Sequence, residues 1–308
     1  MRHPLVPCTV AAVLVAAGCA APHVPSRPAV PPTLGWDSWN LDGCTVTAAR
    51  VERQADALIS SGLADAGYRT VIVDDCWFAP DRTGAGELTA NPRTFPGGIP
   101  ALADRLHAQG LELGIYESPG DRTCAQQSGA YPGSTGSAGH EEQDARTFAD
   151  WGVDYLKYDW CGPGVPAELQ RETFRRMRDA LAATGRRITY AINPNSGVAG
   201  DVPGATGTWA GIADAVRVTN DVVPAWRTGA PATENQGIAD VLDRVPPDPG
   251  TVRDLDMLVA GLPGVTEDQG RTQITQWARL RSPLIITADI ATLSTGTVDL
   301  LRRTAHEM

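Results

Sequence analysis

Short apolar segments alternate with amphipathic segments along the chain from residue 34 onward. A short apolar segment flanked by turn residues is typical of a strand that is buried on both faces of a sheet. Eight such strands are predicted, at Leu34–Trp39, Thr70–Asp75, Leu111–Tyr116, Tyr155–Asp159, Ile188–Ile192, Ala215–Thr219, Leu255–Val259 and Leu284–Thr287.

The segments between these strands have helical periodicity. Helices are predicted at Val51–Asp65, Ile99–Gln109, Glu141–Trp151, Leu169–Ala183 and Thr272–Leu280. Gly110, Gly152 and Gly185 follow three of them, where a glycine commonly ends a helix. Strands that alternate with helices indicate a parallel sheet, and eight such units in about 275 residues predict a (β/α)8 barrel, whose usual length is about 250 residues. A doubly wound sheet is the alternative, but no Gly-x-Gly-x-x-Gly follows the first strand.

The fourth predicted strand runs into Lys157-Tyr158-Asp159 and ends at a Gly-Pro-Gly turn. Lys157 and Asp159 are two residues apart, so in an extended strand both side chains point to the same face. A buried carboxylate needs a cation or hydrogen bonds to offset its desolvation. Taken alone, the pair fits a structural ion pair as well as a catalytic site.

In a (β/α)8 barrel the active site forms at the carboxyl ends of the strands. Polar and aromatic residues are concentrated at those ends: Trp36, Asp37, Asp74, Asp75, Cys76, Trp77, Tyr116, Glu117, Lys157, Asp159, Asn193, Arg217, Asp221, Asp254 and Asp256. Carboxylates bind sugar hydroxyl groups, and an aromatic ring packs against the apolar face of a sugar, so this set predicts a carbohydrate site. Taken alone, Asp74-Asp75 also fits a structural turn or part of a Ca²⁺ site, although a nearby lysine disfavours a divalent cation.

The composition is that of an ordinary globular protein, with 42% hydrophobic and 20% charged residues. The formal net charge of −10 argues against nucleic acid as a partner, because binding it requires a basic surface. All five histidines lie outside the predicted strand ends, so a metal site is not expected.

The N-terminal residues predict a targeting segment. Arg2 precedes the apolar segment Val10–Ala17, which is too short to cross a bilayer, so residues 1–19 predict a signal peptide. Ala17-Gly18-Cys19 resembles the cleavage site of a bacterial lipoprotein, which makes Cys19 a candidate for lipidation and for membrane attachment; ordinary secretion is the alternative. The Pro-rich residues 20–33 predict an extended tether, and the barrel of residues 34–308 is expected to be exported.

Four cysteines remain in the expected mature domain: Cys44, Cys76, Cys124 and Cys161. An even number of cysteines in an oxidising compartment predicts two disulfides, and counting alone leaves three connectivities open. Free buried thiols are the alternative.

Six stretches, in order along the chain, resemble the retaining α-galactosidases and α-N-acetylgalactosaminidases of glycoside hydrolase family 27. They are Leu34-Gly35-Trp36-Asp37-Ser38-Trp39-Asn40, Val73-Asp74-Asp75-Cys76-Trp77, Leu113-Gly114-Ile115-Tyr116, Tyr155-Leu156-Lys157-Tyr158-Asp159, Asp254-Leu255-Asp256-Met257-Leu258 and Arg281-Ser282-Pro283-Leu284-Ile285. The resemblance covers residues 34–290. It implies an exo-glycosidase that removes terminal α-D-galactosyl residues from oligosaccharides or polysaccharides and needs no metal or organic cofactor. The oligomeric state stays open.

The resemblance also implies roles for individual residues. Asp159 becomes the nucleophile, and Asp221, in the pattern Arg217-x-x-x-Asp221, becomes the general acid/base. Lys157 is expected to keep Asp159 ionised for attack on the anomeric carbon. The residues implied to surround the sugar are Trp36, Asp74, Asp75, Tyr116, Lys157 and Arg217. The implied disulfides are Cys44 with Cys76 and Cys124 with Cys161; a third disulfide of the family is missing, because its first cysteine would fall near Ile192.

The sequence departs from the family's pattern at three places. Asn193 replaces a longer carboxylate that reads the sugar's 2-substituent, so it is a candidate substrate-binding residue and the preference between galactose and N-acetylgalactosamine stays open. Glu117-Ser118-Pro119 follows Tyr116 where members often have Ser-Asp-Ala or Ser-Asp-Val, which is compatible with a β-L-arabinopyranoside. The chain stops at Met308, in what is predicted to be the last helix, so the family's C-terminal β-sandwich is expected to be absent.

Two other classes of function are alternatives. In the first, a catalytically impaired barrel serves only to bind sugar; the early end of the chain favours it, and the presence of both Asp159 and Asp221 argues against it. In the second, a barrel isomerase or aldolase would need a phosphate-binding glycine loop after strands seven and eight. Gly261-Leu262-Pro263-Gly264 is a poor match to such a loop.

Overall fold

The computed structural model describes residues 30–162, 165–196, 208–222, 248 and 250–308. The predicted signal peptide, Cys19 and most of the predicted tether lie outside these residues. Eight strands form one sheet in which every pair of neighbours is parallel. The strands are β1 (Leu34–Asp37), β2 (Thr70–Val73), β3 (Glu112–Glu117), β4 (Tyr155–Cys161), β5 (Thr189–Ser196), β6 (Ala215–Arg217), β7 (Val252–Asp254) and β8 (Leu284–Ile286).

The sheet curls until its two ends meet. The strands follow one another in chain order from β7 back to β1, and β8 pairs with the free side of β1. Beyond β7, Leu258 forms a parallel bridge to Ile286 of β8 and donates its amide to the Ile285 carbonyl at 2.8 Å. The predicted (β/α)8 barrel is therefore confirmed, and the carboxyl ends of all eight strands face the same mouth.

The seventh strand lies three residues earlier than the apolar pattern predicts. β7 covers Val252–Asp254, whereas Leu255–Val259 was expected. Asp256 interrupts the pairing because its backbone lies in the left-handed region, with φ of +76°. Asp254 Oδ1 accepts a hydrogen bond from the Asp256 amide at 2.8 Å, which holds this turn in place. The apolar residues after Asp256 therefore form a short bridge to β8 instead of a continuous strand.

The helices lie on the outside of the barrel and overlap the five predicted ones. They are α1 (Trp39–Asp42), α2 (Ala48–Ser60), α3 (Gly98–Ala108), α4 (Cys124–Ser128), α5 (Glu141–Asp150), α6 (Ala167–Ala183), α7 (Glu267–Arg279) and α8 (Thr295–Ala305), with 3₁₀ turns at Gly43–Thr45 and Ile290–Thr292. Gly110, Gly152 and Gly185 have φ values of +74°, +79° and +75°, which confirms their predicted role after α3, α5 and α6. No helix in the described part of the chain is long and apolar enough to cross a membrane.

Two apolar clusters stabilise the barrel. The larger one lies between the sheet and the surrounding helices and includes Val71 and Val73 of β2. Ile72, between them, points the other way into the barrel, because side chains alternate along a strand. The interior cluster consists of Ile72, Tyr155, Ala191, Ala215, Met257 and Ile285. This packing fills the inside of the barrel below its mouth.

Both disulfides implied by the resemblance are present. Cys44 is bonded to Cys76 and Cys124 to Cys161, with Cα–Cα distances of 5.0 and 5.1 Å. Cys76 follows β2 and Cys161 ends β4, so each disulfide attaches a neighbouring segment to the carboxyl end of a strand. Both crosslinks therefore stabilise the end of the barrel at which the site is expected.

Candidate active site

β4 supplies the centre of the candidate site. Lys157 and Asp159 point to the same face of the strand, as the sequence predicts. Lys157 Nζ lies 2.5 Å from Asp74 Oδ2 and 3.5 Å from Asp37 Oδ2. The same nitrogen lies 5.7 Å from the centre of the Tyr116 ring, a distance at which a cation is attracted to the ring face. One buried lysine thus connects residues from β1, β2, β3 and β4.

Two adjacent carboxylates follow β2. Asp74 Oδ1 accepts a hydrogen bond from the amide of Asp75 at 2.7 Å. Asp75 accepts bonds from the amides of Cys76 and Ala125, at 2.7 and 2.8 Å, on its two different oxygens. Burial is the main cause that raises the pKa of Asp75 to about 7, and the hydrogen bond from Ala125 opposes it. Backbone donors therefore fix the orientation of the Asp75 carboxyl group.

Asp159 is 6% exposed. Burial raises the pKa of its carboxyl group to about 7; the positive charge of Lys157 lowers the pKa and the negative charge of Asp74 raises it. Lys157 therefore acts in the expected direction, toward an ionised Asp159, but its effect on the pKa is smaller than that of burial. Its ammonium group pairs directly with Asp74 and Asp37.

Arg217, the last residue of β6, joins two further carboxylates. One of its terminal nitrogens lies 2.5 Å from Asp221 Oδ1 and 2.8 Å from Asp256 Oδ2. Asp256 Oδ2 also accepts the amide of Val222, and burial raises the pKa of Asp256 to about 6 although Arg217 opposes the rise. The Asp221 side chain is 51% exposed, in contrast to the nearly buried Arg217 and Asp256. Asp221 is therefore the solvent-facing member of this group.

The strand ends surround a cleft that is open to solvent and has about 480 Å³ of empty space. Seven of the residues predicted for the site line this cleft: Asp74, Asp75, Tyr116, Lys157, Asp159, Arg217 and Asp221. The fold thus brings both proposed catalytic carboxylates, Asp159 on β4 and Asp221 after β6, to the wall of one cavity.

The tryptophan that lines the cleft is Trp39, whereas Trp36 was predicted. Trp36 is fully buried, and its indole nitrogen donates to the Ala288 carbonyl at 3.0 Å, so it packs in the core. Trp39, three residues later in α1, is partly exposed and lines the cleft. Trp39 is thus the tryptophan that lines the cleft, and the contact of Trp36 with the sugar stays a prediction. Alternation along a strand does not continue beyond Asp37, where the backbone turns into α1.

Asn193 lies deeper than the cleft. It pairs in register with Asp159 and lines a second cavity inside the barrel, which also contacts Tyr155 and Ile285 of the interior cluster. This inner cavity adjoins the cleft and shares with it Lys157, Asp159, Arg217, Asp256 and Met257. Asn193 does not line the cleft itself, and its contact with the substrate stays a prediction.

In addition to Trp39, three residues that line the cleft were not predicted for it: Asn40, Val222 and Met257. Asp256 also lines the cleft, as expected from its place among the polar residues at the strand ends. Met257 Sδ lies 3.8 Å from Lys157 Nζ, and one carboxylate oxygen of Asp256 is buried without a hydrogen-bond partner among the described residues. Asn40 and Met257 belong to stretches that carry the family resemblance, which is the signal that would have identified them.

The cleft also borders a disulfide. Cys124 lines the cleft, and its partner Cys161 lies two residues after Asp159. The Tyr116 hydroxyl lies 3.7 Å from Cys161 Sγ. The crosslink therefore holds α4 against the end of the strand that carries Asp159.

The chemistry available at the mouth of the barrel is that of sugar binding and acid/base catalysis. Carboxylates accept hydrogen bonds from hydroxyl groups, Lys157 and Arg217 donate them, and Trp39 offers an apolar surface. Within the described residues, no group of three or more histidine, cysteine or acidic side chains is arranged to hold a metal ion. A (β/α)8 barrel with two carboxylates in such a cleft defines the architecture of a barrel glycoside hydrolase.

Comparison with known proteins identifies the family. A family model described as alpha galactosidase A, of the melibiase type, matches residues 31–306. The chain therefore belongs to this family, glycoside hydrolase family 27.

Individual relatives agree with this assignment. The chain is 39% identical over 276 residues to alpha-galactosidase 2 of Arabidopsis thaliana, and the match covers 89% of this chain and 65% of that protein. The crystal structure of alpha-galactosidase I from Mortierella vinacea superposes with a TM-score of 0.75 at 34% identity, covering 90% of this chain and 71% of that one. The structure of the Saccharomyces cerevisiae alpha-galactosidase with raffinose gives a TM-score of 0.72 at 30% identity, covering 89% and 64%. The chain thus spans about two thirds of the length of such relatives.

Proposed function

We propose that this protein is an exported retaining exo-glycosidase that hydrolyses terminal α-D-galactosyl residues of oligosaccharides or polysaccharides. The observation that carries the proposal is the position of two carboxylates in one cleft: Asp159, 6% exposed, and Asp221, whose side chain is 51% exposed. A buried carboxylate suits a nucleophile that contacts the sugar, and an exposed one suits an acid/base that exchanges protons with the leaving group and water.

In the first step, the ionised Asp159 attacks the anomeric carbon while Asp221 donates a proton to the departing glycosidic oxygen. The bond to the leaving group breaks, and a covalent glycosyl-aspartate forms. In the second step, Asp221 accepts a proton from water, whose oxygen bonds to the anomeric carbon as the ester to Asp159 breaks. The two inversions retain the configuration of the sugar.

The surrounding groups favour binding of a single terminal sugar. Lys157 Nζ and Asp74 Oδ2 are 2.5 Å apart. The lysine donates hydrogen bonds and the aspartate accepts them, so the pair can bind two adjacent hydroxyl groups of a sugar. The interior cluster packs inside the barrel beneath these groups, so a sugar would enter from the mouth. Entry from one side suits a chain terminus, which is what an exo-glycosidase binds.

Two disulfides support the export of this domain, because such bonds persist in oxidising compartments. Lipidation at Cys19 and the signal peptide remain predictions, since these residues lie outside the described part of the chain.

The test is hydrolysis of a panel of aryl glycosides by the purified chain: the α-galactoside, the α-N-acetylgalactosaminide, the β-L-arabinopyranoside and the α-glucoside. Turnover of the α-galactoside, lost in Asp159→Asn, is expected. Preferential turnover of the second or third substrate would replace galactose by that sugar within the same chemistry. A folded, galactose-binding protein that turns over none of the four would overturn the catalytic proposal in favour of a sugar-binding barrel.

A further inference from the structure

Asp37 is a buried carboxyl group that lies next to the candidate site without lining its cleft. It is the last residue of β1 and has no exposed surface. It lines the inner cavity of the barrel, beneath the groups that face the cleft. The mechanism proposed above makes no use of it. A buried acid that is not used in catalysis needs a physical reason to be there, because its desolvation is costly.

The two oxygens of Asp37 have different partners, and each partner faces the cleft. Oδ1 accepts a hydrogen bond from the amide of Trp39 at 2.8 Å. Oδ2 lies 3.5 Å from Lys157 Nζ, which is simultaneously 2.5 Å from Asp74. One side chain therefore connects the aromatic wall of the cleft to the cation at its base.

Asp37 and Asp74 share the ammonium group of Lys157. Lys157 Nζ lies 2.5 Å from Asp74 and 3.5 Å from Asp37, so two carboxyl groups lie beside one cation. Burial and the negative charge of Asp74 raise the pKa of Asp37 well above its usual value, and the positive charge of Lys157 opposes the rise. A change at Asp37 therefore alters the immediate surroundings of the Lys157–Asp74 pair.

We propose that Asp37 is a positioning residue that sets the orientation of Trp39 and of the Lys157–Asp74 pair, and thereby the affinity of the site for the terminal sugar. It acts through these three groups and does not itself contact the substrate. The inference rests on the proposed function, since it concerns how the same site binds its sugar.

Three substitutions separate the two contacts. Asp37→Asn keeps the shape of the side chain and an oxygen for the Trp39 amide, but it loses the carboxylate oxygen that faces Lys157. Asp37→Ser keeps a hydroxyl oxygen that can accept the Trp39 amide, as serine does in short turns, and also loses the contact with Lys157. Asp37→Ala loses both. The matched control is Asp214→Ala, which removes another buried aspartate: Asp214 accepts the Tyr190 amide at 2.9 Å and lies before β6, at the opposite end of the barrel.

The measurements are the inhibition constant of free galactose, kcat/KM for the aryl α-galactoside and the melting temperature of each variant. Asp37→Ser and Asp37→Ala are expected to weaken galactose binding by about tenfold or more, the effect of losing a hydrogen bond to a charged group. Asp37→Asn should weaken galactose binding less than Asp37→Ala, because it keeps the contact with the Trp39 amide. Asp214→Ala should lower the melting temperature without changing the inhibition constant.

The outcomes are distinguishable. Galactose binding that is unchanged in folded Asp37→Ser, or weakened equally in Asp214→Ala and Asp37→Ser, would overturn the positioning role. A loss in Asp37→Asn as large as that in Asp37→Ala would also overturn it. If wild-type protein neither binds galactose nor hydrolyses any galactoside, the proposed function fails, and the inference about Asp37 fails with it.

Discussion

Arg217 and Asp256 form a buried ion pair at the mouth of the barrel, with 2.8 Å between the guanidinium nitrogen and the carboxylate oxygen. The same nitrogen lies 2.5 Å from the exposed Asp221. Asp256 follows the end of β7, and its backbone is left-handed, with φ of +76°. The proposed acid/base therefore contacts an arginine that is also paired with a carboxylate at a strand interruption.

Replacement of this arginine by lysine tests its role as a bridge. Arg217→Lys keeps the positive charge but removes the planar group that contacts two carboxylates at once. We expect kcat/KM for the aryl α-galactoside to fall by about tenfold or more, since a hydrogen bond to a charged group contributes about 1.5–3 kcal/mol. The control is Arg186→Lys, which alters an ion pair with Asp154 outside the cleft. Equal activity of the two variants would contradict the bridging role.

Asp159→Asn is expected to abolish turnover and to leave galactose binding in place. The amide has nearly the same shape, but it cannot form the glycosyl ester, so kcat should fall by at least about a thousandfold. Asp159→Ala with added azide should produce the β-galactosyl azide, because a small nucleophile then attacks from the vacated face. Turnover near the wild-type level in Asp159→Asn would exclude this residue as the nucleophile.

Asp221→Ala should affect substrates according to their leaving groups. A substrate with a poor leaving group depends on proton donation, which contributes about 10²–10⁴-fold, whereas an activated aryl glycoside does not. We therefore expect a large loss on an oligosaccharide such as raffinose and a small one in the first step on a dinitrophenyl galactoside. Azide should give the α-galactosyl azide here, the opposite anomer to that expected from Asp159→Ala. An equal loss on both substrates would argue against the acid/base role.

The thermal stability should decrease as the pH rises from about 5 to 7.5. The pKa values of Asp75 and Asp159 are about 7 and that of Asp256 is about 6 in the folded protein, against 3.8 in the unfolded chain. Between pH 3.8 and these folded-state values, the folded protein binds more protons than the unfolded chain does. The stabilisation that these groups contribute is therefore complete below about pH 4 and is lost as the pH rises through the folded-state pKa values of about 6 to 7.

Melting temperatures measured across this pH range test the effect. In Asp159→Asn the decrease between pH 5 and 7.5 should be smaller, because one of the three groups no longer titrates and each pKa unit corresponds to about 1.4 kcal/mol. A pH dependence identical to that of the wild type would contradict the raised pKa of Asp159.

The two tryptophans of the first strand-to-helix turn should behave differently. Trp36→Ala removes a fully buried side chain and should lower the free energy of unfolding by about 3–5 kcal/mol. Trp39→Ala removes a partly exposed wall of the cleft, so it should weaken galactose binding with a smaller loss of stability. Denaturant unfolding and galactose inhibition, measured on both variants, separate the two effects. Weakened galactose binding in Trp36→Leu, without a loss of stability, would support Trp36 as a sugar-binding residue.

The sequence by itself determined the barrel, the identity of most polar residues at its mouth and the family. Strands and helices follow from local periodicity, and the carboxyl ends of parallel strands must share one side of a barrel. Lys157, Asp159 and Arg217 could therefore be assigned to one site from the sequence alone. The disulfide pairing came from the resemblance, because counting cysteines does not choose between connectivities.

Tertiary structure decided what depends on the path of the backbone and on burial. Trp39 and not Trp36 faces the cleft because β1 ends at Asp37, and β7 ends at Asp254 because Asp256 adopts a left-handed conformation. The pKa of Asp159 depends on the sum of desolvation and several charges from other strands, which no neighbouring residue in the sequence reveals. Local pattern predicts which elements form, but side-chain direction beyond a strand end and the electrostatics of a buried site are properties of the assembled barrel.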